Sequence, residues 1–217
     1  MTTAIINNHN ICLAAMRKIG VTAIDEAPTA DGIAEAMLAL NRMLKGWQNR
    51  GFNLWAVTSK SVTLTMATSY DMTPDRPLEI QSARLKRGGV ETPMTKFNRE
   101  QFDTIPVKTS TGLPTCFYYN RQKETGTLFI WPALAVAAGT STIELTYVRE
   151  LADGILTDNI DVPSEWYDAT VYGLAARIAD DYGIAAPNVV ARAEEELRIA
   201  LSYDREGSVY FVGDGYT

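Results

Sequence analysis

The period of the hydrophobic pattern changes twice along this chain, and that change limits the fold more than any other feature. Near both ends apolar residues recur at helical spacing, whereas in the middle they alternate. Ile33, Met37, Leu40, Leu44 and Trp47 follow one another at intervals of four, three, four and three. That spacing puts all five on one helical stripe. Thr29, after Pro28, suits the N-cap, and Asp31 suits the positive first turn. Arg42, Lys45 and Arg50 suit the negative end, and Gly51 closes the helix. An earlier helix is expected over residues 4–19. Ile5, Ile11, Cys12, Ala15, Met16 and Ile19 would form its apolar side, with Gly20 as its stop.

From residue 52 to 150 the period becomes two. Alternation over residues 61–66 predicts a strand with Val62, Leu64 and Met66 on one face. Residues 115–119 and 127–131 flank a polar segment ending in Gly126 and read as a hairpin. Residues 142–148 alternate again, and residues 80–85 add a strand. Asn98 is placed to cap a short helix reaching Thr104. The prolines at 74, 77, 93, 106, 114 and 132 are expected at strand ends and in loops.

Helical spacing then returns. Pro163, Ser164 and Glu165 read as a helix start with Ser164 as cap. Trp166, Thr170, Leu174, Ile178 and Tyr182 recur every four residues before Gly183. Pro187 opens a last helix, with Val190, Ala193, Leu197 and Leu201 as its stripe and Glu194, Glu195 and Glu196 on its solvated side. No single helix of this kind is stable alone in water. The economical arrangement packs all four together and leaves the strands as an insertion. The expected class is α+β: a four-helix core from N- and C-terminal helix pairs, an inserted mostly antiparallel β domain, and an extended C-terminal tail. The boundaries are 1–51 and 155–207 for a discontinuous helical domain, 52–154 for the insertion, and 208–217 for the tail. Leu40, Trp47, Trp166, Leu174 and Leu197 are the expected core or interface anchors, because large apolar side chains bury the most area.

The tail is unusual in composition. Val209, Tyr210, Phe211, Val212 and Tyr216 crowd ten residues, whereas solvated tails are usually polar. Two readings stand: a strand added to the chain's own β domain, or docking onto a neighbouring subunit.

Chemistry is harder to find. The chain carries 20 Lys and Arg against 26 Asp and Glu, a net charge of −6, which excludes a globally basic nucleic-acid binder. The charge is uneven. Residues 1–51 carry five basic and four acidic groups, residues 52–150 eleven and nine, and residues 151–217 four and thirteen. The acidic last third is either a solvated helical face or a surface that faces a polyanion without adhering to it. Cys12 and Cys116 lie too far apart for a disulfide framework or a paired-thiolate metal site, and Cys12 reads as core. A single histidine, His9, cannot build a His-rich metal site and reads as a polar-face residue.

Gly88-Gly89 and Gly213-x-Gly215 lack the context of a phosphate loop. Asp180-Asp181 and the Glu194–Glu196 run point about 100° apart on a helix and make no catalytic pair. Glu91, Glu100 and Glu144 are the carboxylates available for glycosidase chemistry, and no spacing singles them out. Lys86 and Arg87, with Arg84, read as loop surface. No catalytic, cofactor-binding or metal residue is therefore assigned, and no cofactor is expected. There is no signal-like start and no membrane-length apolar run, so a soluble protein made in the cytoplasm is expected.

Two stretches resemble the head-to-tail adaptor family of short-tailed bacteriophages, whose best-known member is called the tail accessory factor or packaged-DNA stabilisation protein. The first runs Ala14-Ala15-Met16-Arg17-Lys18-Ile19-Gly20-Val21, then Glu26-Ala27-Pro28-Thr29-Ala30-Asp31, then Ala36-Met37-Leu38-Ala39-Leu40-Asn41-Arg42-Met43-Leu44-Lys45-Gly46-Trp47. The second is Val162-Pro163-Ser164-Glu165-Trp166-Tyr167-Asp168-Ala169, continuing through Leu174-Ala175-Ala176-Arg177-Ile178-Ala179 to Tyr182-Gly183. The resemblance covers the helical pairs, while the β insertion matches only in kind. It implies a structural, non-enzymatic virion protein at the head-to-tail junction. It implies a homo-oligomeric ring of about twelve copies below the portal protein. Such a ring extends the DNA channel, accepts tail nozzle or needle components and helps retain packaged double-stranded DNA without reading its sequence. The alternatives are a virion-associated peptidoglycan hydrolase and a non-virion assembly factor.

Overall fold

The computed structural model describes residues 7–51, 54–135 and 141–203. It is an α+β protein whose chain divides into two compact units. One comprises Met1–Leu54 and Leu151–Thr217, the other Trp55–Glu150.

In the helical unit, α1 spans Asn8–Lys18 and α2 spans Ala30–Asn49. α1 starts at Asn8 rather than Ala4. Asn7 is extended (φ −84°, ψ 156°), and its side chain accepts the Asn10 N–H, so it is the N-cap. Thr29 caps α2 by accepting the Gly32 N–H at 3.1 Å. Ile33, Met37, Leu40, Leu44 and Trp47 are all buried, as the stripe requires. α1 packs on α2, and both pack on α4 (Tyr167–Asp181). Ser164 does not cap α4. Ser164–Trp166 form a 3-10 turn whose entry residue is Pro163, and neither this turn nor α4 has a side-chain cap bond. Trp166, Thr170, Leu174 and Ile178 face the core, whereas Tyr182 lies beyond the helix end and is 40% exposed.

The last helix departs furthest from its pattern. Following the five-residue α3 of the other unit (Arg99–Asp103) and α4, α5 spans Pro187–Tyr203. Its main contacts are with α4 and the 3-10 turn. Among its residues only Ala200 is fully buried. Leu197, Ala193 and Leu201 are half-buried, and Val190 is 44% exposed. A helix with one principal neighbour buries a line of contact rather than a full stripe.

Between α2 and α4 the returning backbone is clamped by polar side chains. Asn41 both donates to the Gly154 carbonyl (3.1 Å) and accepts the Gly154 N–H (3.2 Å). One turn later Lys45 donates to the Leu151 carbonyl and lies 3.5 Å from Asp153. Gln48 accepts the Leu151 N–H at 3.2 Å. From α1, the buried Asn8 donates its side-chain amide to the Ile155 carbonyl at 2.8 Å. The backbone N–H groups of Asn8 and His9 donate to Asp158 and Leu156. Gly154 is required here: a Cβ would collide with the Asn8 side-chain amide, which its own hydrogen bond holds in place.

The other unit holds the strands β1 (Val57–Thr63), β2 (Ser69–Asp71), β3 (Glu79–Arg87), β4 (Val90–Lys96), β5 (Thr111–Gly112), β6 (Cys116–Arg121), β7 (Gly126–Trp131), β8 (Ala133–Leu134) and β9 (Thr142–Val148). Seven form one sheet in the order β1-β9-β3-β4-β6-β7-β2. All its pairings are antiparallel except β4 with β6. The crossover between those two strands contains α3, as a parallel pair needs. Asn98 caps α3 in a capping box with Gln101. β5 and β8 form a separate parallel pair. Inward positions alternate along β7 and β9: Leu128 and Ile130 on one, Ile143, Leu145 and Tyr147 on the other.

Two expectations fail in this unit. Met66 is not on the buried face: β1 ends at Thr63, and Met66 is 62% exposed while Leu64 is 3% exposed. Pro93 is not in a loop but inside β4, opposite Arg84. It is tolerated because β6 pairs with β4 only at Thr95 and Lys96, so the far side of β4 at Pro93 carries no strand.

The clamp makes a direct prediction. Asn41→Ala leaves both backbone groups of Gly154 without a partner and should cost about 1–3 kcal/mol. The urea midpoint should fall at an unchanged m-value.

Candidate interaction surfaces

The anchors named from the sequence sit in the helical unit as follows. Trp47 from α2 and Trp166 before α4 meet at 5.4 Å between ring centroids, tilted by 56°. Leu40 and Leu174 are fully buried, and Leu197 is half-buried. The Thr170 hydroxyl donates to the Trp166 carbonyl at 2.7 Å and so removes a buried polar orphan. α2 and α4 approach closely at Gly173, where a Cβ would lie 3.1 Å from the Met43 sulfur and 3.3 Å from the Trp47 ring.

Outside this core, α5 shows apolar side chains to solvent. Val190, Ile199 and Tyr203 are 44%, 38% and 73% exposed. Tyr203 also lines a cavity of about 290 Å³ with Pro163, Glu165 and Trp166. Arg192 bonds Glu195 (2.9 Å) and Glu196 (2.7 Å) along the same helix. Asp168, Asp180, Asp181 and Glu194 are exposed and have no ion-pair partner among the described residues. The acidic excess read from the sequence is therefore on the surface of this unit. Asp153, although paired with Lys45, is exposed as well.

Concave places lie among the described residues of the β unit. One, of about 270 Å³, is lined by Phe102, Tyr118 and Phe129 with Arg99, Asp103 and Lys108 at its polar side. Phe102 stacks on Tyr118 at 5.5 Å, and Tyr118 on Phe129 at 6.0 Å. Lys108 lies 5.0 Å over the Phe102 ring and 3.3 Å from Asp103. Another, about 230 Å³, is lined by Pro74, Asp75, Arg76 and Tyr147, with Arg76 bound to Glu150 at 3.1 Å. Burial pushes the Tyr147 and Tyr119 hydroxyls above their usual range.

The reactive side chains do not converge. Burial pushes the Cys12 thiol up to about 12, and the Cys116 thiol is raised for the same reason; thiols so held are poor nucleophiles at neutral pH. His9 is half-buried on α1. Glu91 pairs with Arg84 at 3.5 Å, Glu144 accepts from the Thr142 hydroxyl, and Glu100 lies in the first turn of α3. Among the described residues no three His, Cys, Asp or Glu side chains are grouped to hold a metal ion. No described helix is long and apolar enough to cross a membrane.

Val209, Tyr210, Phe211, Val212 and Tyr216 lie outside the described residues. Sequence reasoning did not find the clamp formed by Asn8, Asn41, Lys45 and Gln48. Its trace is visible afterwards: Asn41, Lys45 and Gln48 fall at i, i+4 and i+7, a polar line beside the apolar stripe.

A family model described as SU10 adaptor protein matches residues 11–209. No curated protein matches the chain. Among solved structures, a chain of the "Neck of empty GTA particle computed with C6 symmetry" is 15% identical, with 90% of this chain and 92% of that chain covered. Its TM-score is 0.30, too low to carry an argument.

Trp166→Ala should remove about 3–5 kcal/mol of stability, read by denaturant unfolding. Cys12 adds an alkaline prediction. Its folded value lies above the unfolded 9.0, so its contribution is complete below pH 9 and is lost as pH rises towards about 12. Cys12→Ala should flatten this alkaline loss, and a thiol reagent at pH 8 should leave Cys12 unmodified until the protein unfolds.

Proposed function

Because the chain belongs to the SU10 adaptor protein family, we propose that it is a structural, non-enzymatic head-to-tail connector of a phage virion. About twelve copies would close into a ring below the portal protein. The ring would extend the DNA channel, hold the tail nozzle or needle components and help retain the packaged genome. The observation that carries this reading is the family match itself, which runs from α1 through the whole β unit to beyond α5.

The surfaces support it. A cyclic ring is heterologous: one surface of each subunit grips a different surface of the next. α5 leaves Val190, Ile199 and Tyr203 exposed, which fits a helix that gains a second neighbour on assembly and so completes a four-helix core. The tail residues Val209, Tyr210, Phe211, Val212 and Tyr216 are proposed to dock on a neighbouring subunit or on portal. The exposed Asp168, Asp180, Asp181 and Glu194 would repel phosphates if they line the channel, so that DNA slides without adhering.

The test is electron microscopy and native mass of the protein mixed with its portal. A closed ring on the portal is expected; a chain that stays monomeric beside portal overturns the reading. Deleting residues 208–217 should leave the unfolding midpoint unchanged and weaken ring formation at least tenfold. Zymography on peptidoglycan should be blank, and clearing that is lost with Glu100→Gln or Glu144→Gln would instead establish a hydrolase.

A further inference from the structure

The sheet of the β unit has a free edge of unusual quality, and its chemistry indicates what covers it. β1 pairs with β9 over all seven residues, Val57 opposite Val148 through Thr63 opposite Thr142. Two flanking bonds reveal which groups point where. The Arg149 N–H donates to the Ala56 carbonyl, and the Leu64 N–H donates to the Ser141 carbonyl. In an antiparallel ladder, hydrogen-bonded pairs recur every second residue. Positions 56, 58, 60, 62 and 64 therefore spend their backbone groups on β9. Val57, Ser59, Ser61 and Thr63 turn theirs to the other side, where no strand pairs among the described residues. Ser59, Ser61 and Thr63 are also exposed.

Sheet edges are usually protected by prolines, bulges, short strands or free lysines. The outer side of β4 carries Pro93, and β2 has only three residues. β1 has no proline and no bulge against β9. Its lysine, Lys60, is held by Asp75 at 2.9 Å. Residues 208–212, Ser-Val-Tyr-Phe-Val, are β-branched or aromatic at every position after the first, the composition that suits a strand. The polar run Asp204-Arg205-Glu206-Gly207 separates them from α5. Over the six steps from Tyr203 to Val209 the chain reaches roughly 20 Å.

We propose that residues 208–212 of one copy add as a strand to the free edge of β1 in the next copy. This rests on the ring reading above and names the surface that receives the tail. Strand addition supplies main-chain hydrogen bonds, and alternate side chains set the register. On β1, Val62 and the adjoining Leu64 lie on the core side. Either Val209 and Phe211 or Tyr210 and Val212 would extend that apolar face. The contact is heterologous, so it repeats around a ring without using up its own surface.

The test uses the full chain assembled on portal. Ser61→Cys together with Tyr210→Cys, treated with a short bismaleimide, should give a ladder of covalent multimers, and each single variant should not. Ser61→Pro gives an independent check. It removes an outward N–H that makes no bond to β9, so the unfolding midpoint should hold while assembly weakens at least tenfold. Assembly by Ser61→Pro at the wild-type level overturns the proposal. So does a ring, seen by microscopy, whose double-cysteine variant gives no ladder, and so does a cross-link confined to single chains. Those results leave the connector reading standing. Absence of any ring on portal overturns both, which separates the two failures.

Discussion

The helical unit depends on the grip that α2 takes on the returning chain. The chain leaves this unit at Leu54 and re-enters it at Leu151. Bringing two such distant points together costs loop-closure entropy, and something local must oppose it at the junction. Apolar packing alone specifies position loosely. Asn41, Lys45 and Gln48 instead bond specific backbone groups of Leu151 and Gly154, and Asn8 holds Ile155. Hydrogen bonds fix register because a shift of one residue leaves buried groups without partners. With 151–155 pinned, Trp166 reaches Trp47, and α4 settles on α1 and α2.

The β unit solves a different problem. Its sheet runs through β4 and β6 by a short parallel contact, two residues long, between otherwise antiparallel neighbours. The helix α3 fills the crossover, and its Phe102 joins Tyr118 and Phe129 in an aromatic stack. Among the described residues the sheet stays open, since neither β1 nor β2 pairs beyond its one neighbour. An open edge keeps unspent backbone N–H and C=O groups, which a further strand can pair with.

Much of this architecture was legible in the residues. The stripe Ile33 to Trp47, the Thr29 cap, the Asn98 cap and the hairpin around Gly126 all stand where spacing and composition placed them. These are local effects, decided within one or two turns of chain. The misreadings share a cause. Met66 continued an alternation that the strand did not, because the pairing with β9 stops at Thr63. Pro93 looked like a loop residue because its tolerance depends on which neighbour stands beside it. Val190 lay on a convincing stripe, but among the described residues α5 packs mainly on α4 and a short turn.

By itself the sequence determined the four long helical segments, the main strands with their period of two, the Thr29 and Asn98 caps and the concentration of acidic charge in the last third. Periodicity, capping and composition are properties of neighbouring residues, so a single chain displays them. Only the tertiary structure decided the order of strands, the polar clamp on the returning backbone and which backbone groups of β1 are left unspent. These depend on residues far apart in the chain, such as Asn41 with Gly154 and Val57 with Val148, and no local pattern records which distant partner a hydrogen-bonding group meets.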